Sequence, residues 1–443
     1  MTINVAELLD YIKSKKEYLA YSYKLYDIFN KNLTPYVKER LSINFKSQTS
    51  REEAATRLAP INILPKLVNK LSKVYQHHDV EINTKYKTTL EEYKTKFSFS
   101  YRNDMNKFLN LFSCCALEPV FDEEASFVRV LAAHEFLVYS NSEINPNKVT
   151  HFIKIVKSGT QPDDQEYHIY SNDEFLAING EGKVLQSLPN PYNTIPFTYI
   201  KRDTSELMPK VGKDDYEMVT LLPLLLTDMN FALKYKAYSI MYVLNAEAPD
   251  LNLAPNAIWS FNSIGQEGDK VEINQLTPTL AVDEVLQNIS MLYTMWLETK
   301  NLKSPALSNK SQSIQALSGI AKIIDDADIS DDIDAQADIL QEAETNLLKK
   351  IAKVAVPSGF NWDFSDVQVS FMKKTLLPET QKDKVDRVIQ KLENKLISWT
   401  DALSEIHSLE DETLAISLKE KIKSDFLEWN DVQTNDENKN KDA

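Results

Sequence analysis

Glycine is scarce in this chain, at 8 of 443 positions, where average usage of about 7% would supply roughly 31. So little glycine leaves small room for glycine-rich phosphate cradles, and neither GxGxxG nor GxxxxGK[ST] occurs. Nucleotide-binding enzymes of those two kinds are disfavoured. Arginine stands only at 40, 51, 57, 102, 129, 202 and 387, which supplies little bidentate phosphate recognition. The net charge of −15 argues against a broad grip on nucleic acid, which takes a basic face. Long apolar runs are missing as well. The longest, near 221–226, is broken by Pro223 and falls far short of the ~20 residues of a membrane span. No apolar signal core follows Met1. The two cysteines, Cys114 and Cys115, are adjacent within an apolar run; neighbours make a strained disulfide, so buried free thiols are expected. The expected compartment is a reducing cytoplasm.

Catalytic signatures are equally sparse. None of the six histidines sits in HExxH or near a cysteine at ligand spacing. His77-His78 reads as a polar helix end and His134-Glu135 as a strand start, and no serine or cysteine lies in a GxSxG elbow. Nine acids crowd 325–344 with no lysine among them, and Asp332, Asp334 and Asp338 sit at calcium-loop intervals. Ala337 stands where that loop needs glycine, so a solvated helix face is expected there. The expectation is a protein without enzymatic activity, metal or cofactor.

Hydrophobic period supplies the organisation. Residues 1–115 read as helical: Leu8, Leu9, Ile12, Tyr18 and Leu19 open one pattern, and Ile63, Leu67, Leu71 and Tyr75 another. Residues 117–205 turn to strand-like runs at 127–131, 136–139 and 151–156, with Asn179-Gly180-Glu181-Gly182 as a hairpin turn. A long helix is expected over 213–242, with Leu222, Leu226, Met229, Leu233, Ala237 and Ile240 as its apolar stripe and a kink at Pro223. A compact insert over 243–280, with strand candidates at 258–261 and 271–273, precedes a second helix over 281–299. That helix presents Val282, Val285, Leu286, Ile289, Leu292, Tyr293 and Trp296. The two helices read as an antiparallel pair carrying a module at its tip. A polar loop covers 300–316, a third long helix runs from about Ser318 to Val354, helices fill 376–430, and 431–443 has nothing to bury.

Four local patterns in order carry a resemblance. They are Asn193-Thr194-Ile195-Pro196-Phe197 closing the β-rich part, and Gly212-Lys213-Asp214-Asp215-Tyr216 opening the long helix. The third is the order helix, insert, helix, polar loop, Ser318-Gly319, long helix; the fourth is Lys395-Leu396-Ile397-Ser398-Trp399-Thr400. Together they resemble the portal (head-to-tail connector) proteins of tailed bacteriophages, in which a strand ends at such an Ile-Pro step. Pro223 within the stem helix and the early Thr400 depart from that pattern.

The resemblance implies an α+β, mainly helical portal fold, assembled as a ring of twelve around a channel. The wing would span 1–212, the stem helices 213–242 and 281–299, and the clip 243–280. A tunnel loop would cover 300–316, a helix returning to the wing 317–375, and a crown 376–430. Lys300, Lys303, Asn309, Lys310, Ser311 and Gln312 would face double-stranded DNA. Asn256, Trp259, Phe261, Gln266, Glu267 and Lys270 would dock the terminase large subunit and, later, head-tail adaptor proteins. Capsid or scaffolding protein would surround the ring at one virion vertex. An acidic wall then suits a conduit, because it centres the duplex without gripping it. Two other readings compete: another ring-forming virion component (adaptor or baseplate), and an enzyme holding Mg²⁺ on Asp325–Asp338.

Overall fold

A computed structural model describes residues 4–44, 47–56, 58–121, 126–159, 161, 164–202, 205–210, 212–237, 240–244, 272–276, 282–300, 302, 327–374 and 388–391. The chain divides into two compact units, 1–373 and 374–443. Of the second, only Lys374 and a helical turn at 388–391 are described. The described residues form a mixed α/β fold, about half of it helical, with antiparallel sheets.

The first unit opens with helices α1 (Val5–Ser14), α2 (Lys16–Phe29), α3 (Thr34–Asn44), α4 (Gln48–Ala55), α5 (Leu64–Leu71) and α6 (Val74–His77). Each is short, and apart from the polar α4 it is burial of an apolar face rather than propensity that holds them. In α5, Leu64, Leu67, Val68 and Leu71 are all buried, the one-face spacing of an amphipathic helix. The histidine pair does mark a helix end at His77, but His78 begins a strand, β1 (His78–Asn83). That strand corrects the all-helical reading of 1–115. Its partner β12 (Gln368–Lys373) lies at the far end of the unit, antiparallel with His78 opposite Lys373. Helices α7 (Lys87–Lys96) and α8 (Tyr101–Phe112) follow. Ser113, in the left-handed region at φ 61°, ends α8 and turns the chain into β2 (Cys114–Val120). Both cysteines are therefore strand residues, free and fully buried.

β2 is the middle strand of a three-stranded sheet with β3 (Phe127–Leu131) and β9 (Thr198–Lys201). A meander of five strands stands beside it: β4 (Phe136–Tyr139), β5 (His151–Ser158), β6 (Gln165–Tyr170), β7 (Glu174–Asn179) and β8 (Val184–Pro189). The β7–β8 turn falls where the Asn-Gly-Glu-Gly motif puts it. Buried Asn179 accepts from the Glu181 and Lys183 backbone N–H groups at 3.1 and 2.9 Å, while Gly182 takes φ 90°. A Cβ at Gly182 would lie 3.1 Å from Leu9 of α1, so the turn also packs on the first helix.

Helix α9 (Lys213–Ala237) runs through Pro223 and stops short of the expected 242. The β-prone run Ile240–Leu244 is strand β10, paired antiparallel with β11 (Glu272–Leu276). α10 (Val282–Glu298) follows, then α11 (Ala327–Ala355). The expected stripe on α9 also shifts. Leu222 and Leu226 are half-buried, while Tyr216, Val219, Thr220, Pro223, Leu224 and Thr227 are buried. A periodicity count scores apolar residues only, whereas two threonines here turn their hydroxyls onto the helix's own carbonyls, Tyr216 O at 2.8 Å and Pro223 O at 2.6 Å.

Candidate functional site

The pairing of α9 with α10 is built from its glycine. A Cβ on Gly212 would stand 2.8 Å from the Asp215 carboxylate, so glycine lets that side chain fold back over the helix start. Asp215 there accepts from the indole N–H of Trp296 at 3.1 Å and pairs with the Lys300 ammonium at 2.8 Å. The start of α9 thus meets the end of α10, which makes the pair antiparallel, and the β10–β11 ribbon carries the insert at the opposite end. Asp214 and Asp215 lie in the first turn of α9, where the helix dipole favours negative charge.

The base of this pair is clamped to the N-terminal helices. Tyr216 is buried against the rings of Tyr21 and Tyr36, with centroids at 5.5 and 6.2 Å. Arg40 of α3 donates to the Glu217 carbonyl at 3.2 Å and to Thr220 Oγ1 at 2.5 Å, and pairs with the Glu217 carboxylate. Ala59 N donates to Thr227 Oγ1 at 3.2 Å. Between the two helices Met218, Leu221, Leu222 and Leu225 face Ile289, Leu292, Tyr293 and Trp296. On α10, however, Leu286, Met291, Leu292 and Met295 remain 43%, 53%, 38% and 55% exposed. Met291, Leu292 and Met295 lie on one face of the helix, and among the described residues nothing covers them.

α11 is held very differently, and here the solvated-face expectation needs correction. Asp331, Asp338 and Glu342 are exposed, but Glu344 is 1% exposed, while Asp332 and Asp334 are partly buried. Glu344 accepts a bidentate pair from Nε and Nη2 of Arg102, at 2.9 and 2.6 Å, and a hydrogen bond from the Tyr75 hydroxyl at 2.5 Å. Burial disfavours the Arg102 cation, and the Glu344 charge more than offsets this, raising its pKa. Burial, with Glu344 adding to it, drives the Tyr75 pKa well above its ordinary value. Asp332 pairs with Arg202, and Gln336 ties Asp332 to Asn106 and Asn110. Asp334 pairs with His78 and Lys373, at the edge where β1 meets β12. Within the 325–338 run read for Mg²⁺, Asp332 and Asp334 each face cations, Asp325 and Asp326 lie outside the described residues, and no cluster of three or more potential metal ligands occurs among the described residues. His134 lies among the rings of Tyr23 and Tyr26, and Glu135 accepts from Ala132 N at 2.8 Å, a structural arrangement.

The Ile-Pro-Phe motif has a packing reason. Phe197 stacks on Phe152 at 4.0 Å with an interplanar angle of 6°, and Phe152 stacks in turn on Phe136 at 5.3 Å. The motif precedes β9 rather than ending a strand. Of the expected channel residues, Lys300 is half-buried and bound to Asp215. Lys303, Asn309, Lys310, Ser311 and Gln312 lie outside the described residues, as do Asn256, Trp259, Phe261, Gln266, Glu267 and Lys270, the Ser318-Gly319 pair and the motif at 395–400. Sequence reading passed over Arg40, Arg102 and Arg202. Their signal was scarcity, since three of the few arginines tie α9 and α11 to the rest of the unit.

No family model matches the chain, and no curated protein matches it. Among solved structures, a chain from the neck of an empty gene transfer agent (GTA) particle is similar at 9% identity and a TM-score of 0.36, covering 79% of this chain and 91% of its own. A chain from the virion of a native gene transfer agent particle has the same identity and a TM-score of 0.26, covering 78% and 90%. Likeness of that extent carries no argument, so the assignment rests on the chain's own residues.

Proposed function

We propose that this chain is the subunit of a head-to-tail connector ring, the portal at one capsid vertex of a phage-type particle. The observation that carries the reading is the antiparallel α9–α10 pair, with the wing-side end closed by Asp215, Trp296 and Lys300 and a β-ribbon insert at the other end. That is the stem-and-clip order on which the resemblance in sequence rests. A subunit that repeats around a ring uses one heterologous interface, closed when the rotation per copy divides a full turn. The exposed residues Met291, Leu292 and Met295, which share one face of α10, give such an interface an apolar face to bury.

In this reading the protein works mechanically and catalyses nothing. A terminase motor docks on the insert over 243–280, hydrolyses ATP and pushes double-stranded DNA through the channel, and adaptor proteins later take the same surface. Capsid or scaffolding protein surrounds the wing. With Lys300 engaged by Asp215, the lysines of the loop that reach DNA are Lys303 and Lys310. The acidic total keeps the duplex sliding rather than bound.

The test is native mass measurement with single-particle imaging of the purified chain, alone and with scaffolding protein. A particle of about 608 kDa, twelve times the 50.7 kDa chain, with a central channel is expected. A chain that stays monomeric at high concentration with scaffolding protein present sinks the proposal.

A further inference from the structure

A cleft of about 510 Å³ lies between α11 and the β-rich part, away from the α9–α10 pair. Four lysines line it, Lys201 of β9 and Lys349, Lys350 and Lys353 of α11, and no acid does, in a chain whose net charge is −15. Lys201 is engaged by the Glu206 carbonyl at 2.6 Å. Lys350 is largely buried, and its ammonium donates to the Phe197 carbonyl. Lys349 and Lys353 are exposed at the rim and have no ion pair among the described residues. Thr198, 3% exposed, also lines the cleft, and its hydroxyl has no hydrogen-bond partner. The second sign that an anion belongs in this space is Lys350 itself, a largely buried cation whose partner is a carbonyl rather than a carboxylate.

We infer that this cleft binds a phosphate group carried on a polar body of nucleotide size. The donor set selects the chemistry. Lysine ammoniums are compact point charges that approach from separate directions, which suits a tetrahedral dianion. A planar carboxylate is better served by the arginine fork, and no arginine lines the cleft. The space exceeds one phosphate, and the exposed Asn172 and Asn346 offer polar surface to the remainder of the ligand. Burial, reinforced by Lys353, lowers the Lys350 pKa to about 8, and a bound dianion offsets both effects. This site is independent of the connector reading and stands or falls without it.

The phosphate could be free or part of a nucleic-acid strand, and titration of the full chain distinguishes these. The probes are adenosine monophosphate, adenosine, acetate and a short DNA duplex at matched phosphate concentration. Adenosine monophosphate is expected to bind with a dissociation constant of about 1 mM or tighter, and adenosine not at all. The rim double variant Lys349→Gln with Lys353→Gln, which leaves buried contacts untouched, is expected to weaken binding about tenfold or more. Tighter binding of the duplex, lost in the rim variant, identifies a nucleic-acid strand as the source; tighter binding of the mononucleotide identifies a free ligand. Equal response to adenosine or acetate, binding unchanged in the rim variant, or no binding of either phosphate probe overturns the assignment.

Discussion

Helices α10 and α11 share an amphipathic pattern but end in different circumstances. α11 buries Ile333, Leu340, Leu347, Leu348 and Ile351 to 2% exposure or less, and its inward acids are met by Arg102, Arg202, His78 and Lys373. α10 buries Ile289, Trp296 and Leu297, then leaves two methionines and two leucines in solvent. One helix is completed by its own chain. The other keeps apolar side chains that none of the described residues covers, and the difference separates residues that stabilise the subunit from residues open to a partner.

The sharpest way to break that comparison is Glu344→Ala. It leaves the partly buried Arg102 cation without its partner, and about 3–5 kcal/mol of stability should go, read as a lowered urea midpoint. A variant as stable as the parent would show that α11 is not held by this pair. Leu347→Ala, at a fully buried position on the same helix, should cost about 2–5 kcal/mol in the same assay. Asp215→Asn keeps the shape at the α9–α10 junction and removes a partly exposed ion pair. It should cost about 1 kcal/mol or less, and thermal unfolding measures it. The paired change Met291→Ser with Met295→Ser should move stability of the subunit by at most about 0.5 kcal/mol, since both side chains are exposed. The same variant should lose ring assembly in native mass spectra, and intact rings would mean that α10 is not an interface.

Lys350 sharpens the comparison through pH. Its pKa is lowered to about 8 in the folded chain against an ordinary 10.5, so between those values the unfolded chain holds more protons. Stability should therefore rise as pH climbs from about 8 to 10.5, and the penalty should be full below pH 8. Lys350→Met should flatten that rise in denaturant titrations across the window; an unchanged slope would assign it to other groups.

Much of the fold could be read locally. The strands at 127–131 and 136–139 and the turn at 179–182 lie where alternation and glycine put them, because each depends on neighbours in sequence. The β1–β12 ladder could not be read, because its halves come from opposite ends of the unit and neither run shows its partner. The end of α9 was misplaced because helical spacing continued into Ile240, while pairing with β11 took that residue into a strand. At the candidate site, Asp215 was legible within its motif, but its contacts with Trp296 and Lys300 were not.

The sequence by itself determined what depends on composition and short-range period. It disfavoured glycine-rich phosphate loops, placed two thiols in an apolar run, and marked the helix-rich start, the β-rich middle and the long helices that follow. Only the tertiary structure decided which of the crowded acids are paired and which solvated, and which apolar helix face the chain leaves open. Period specifies that a face exists, whereas its cover and the partner of each charge come from segments distant in sequence. The lysines of 201 and 349–353 surround one cleft for the same reason: β9 and α11 are neighbours only after folding.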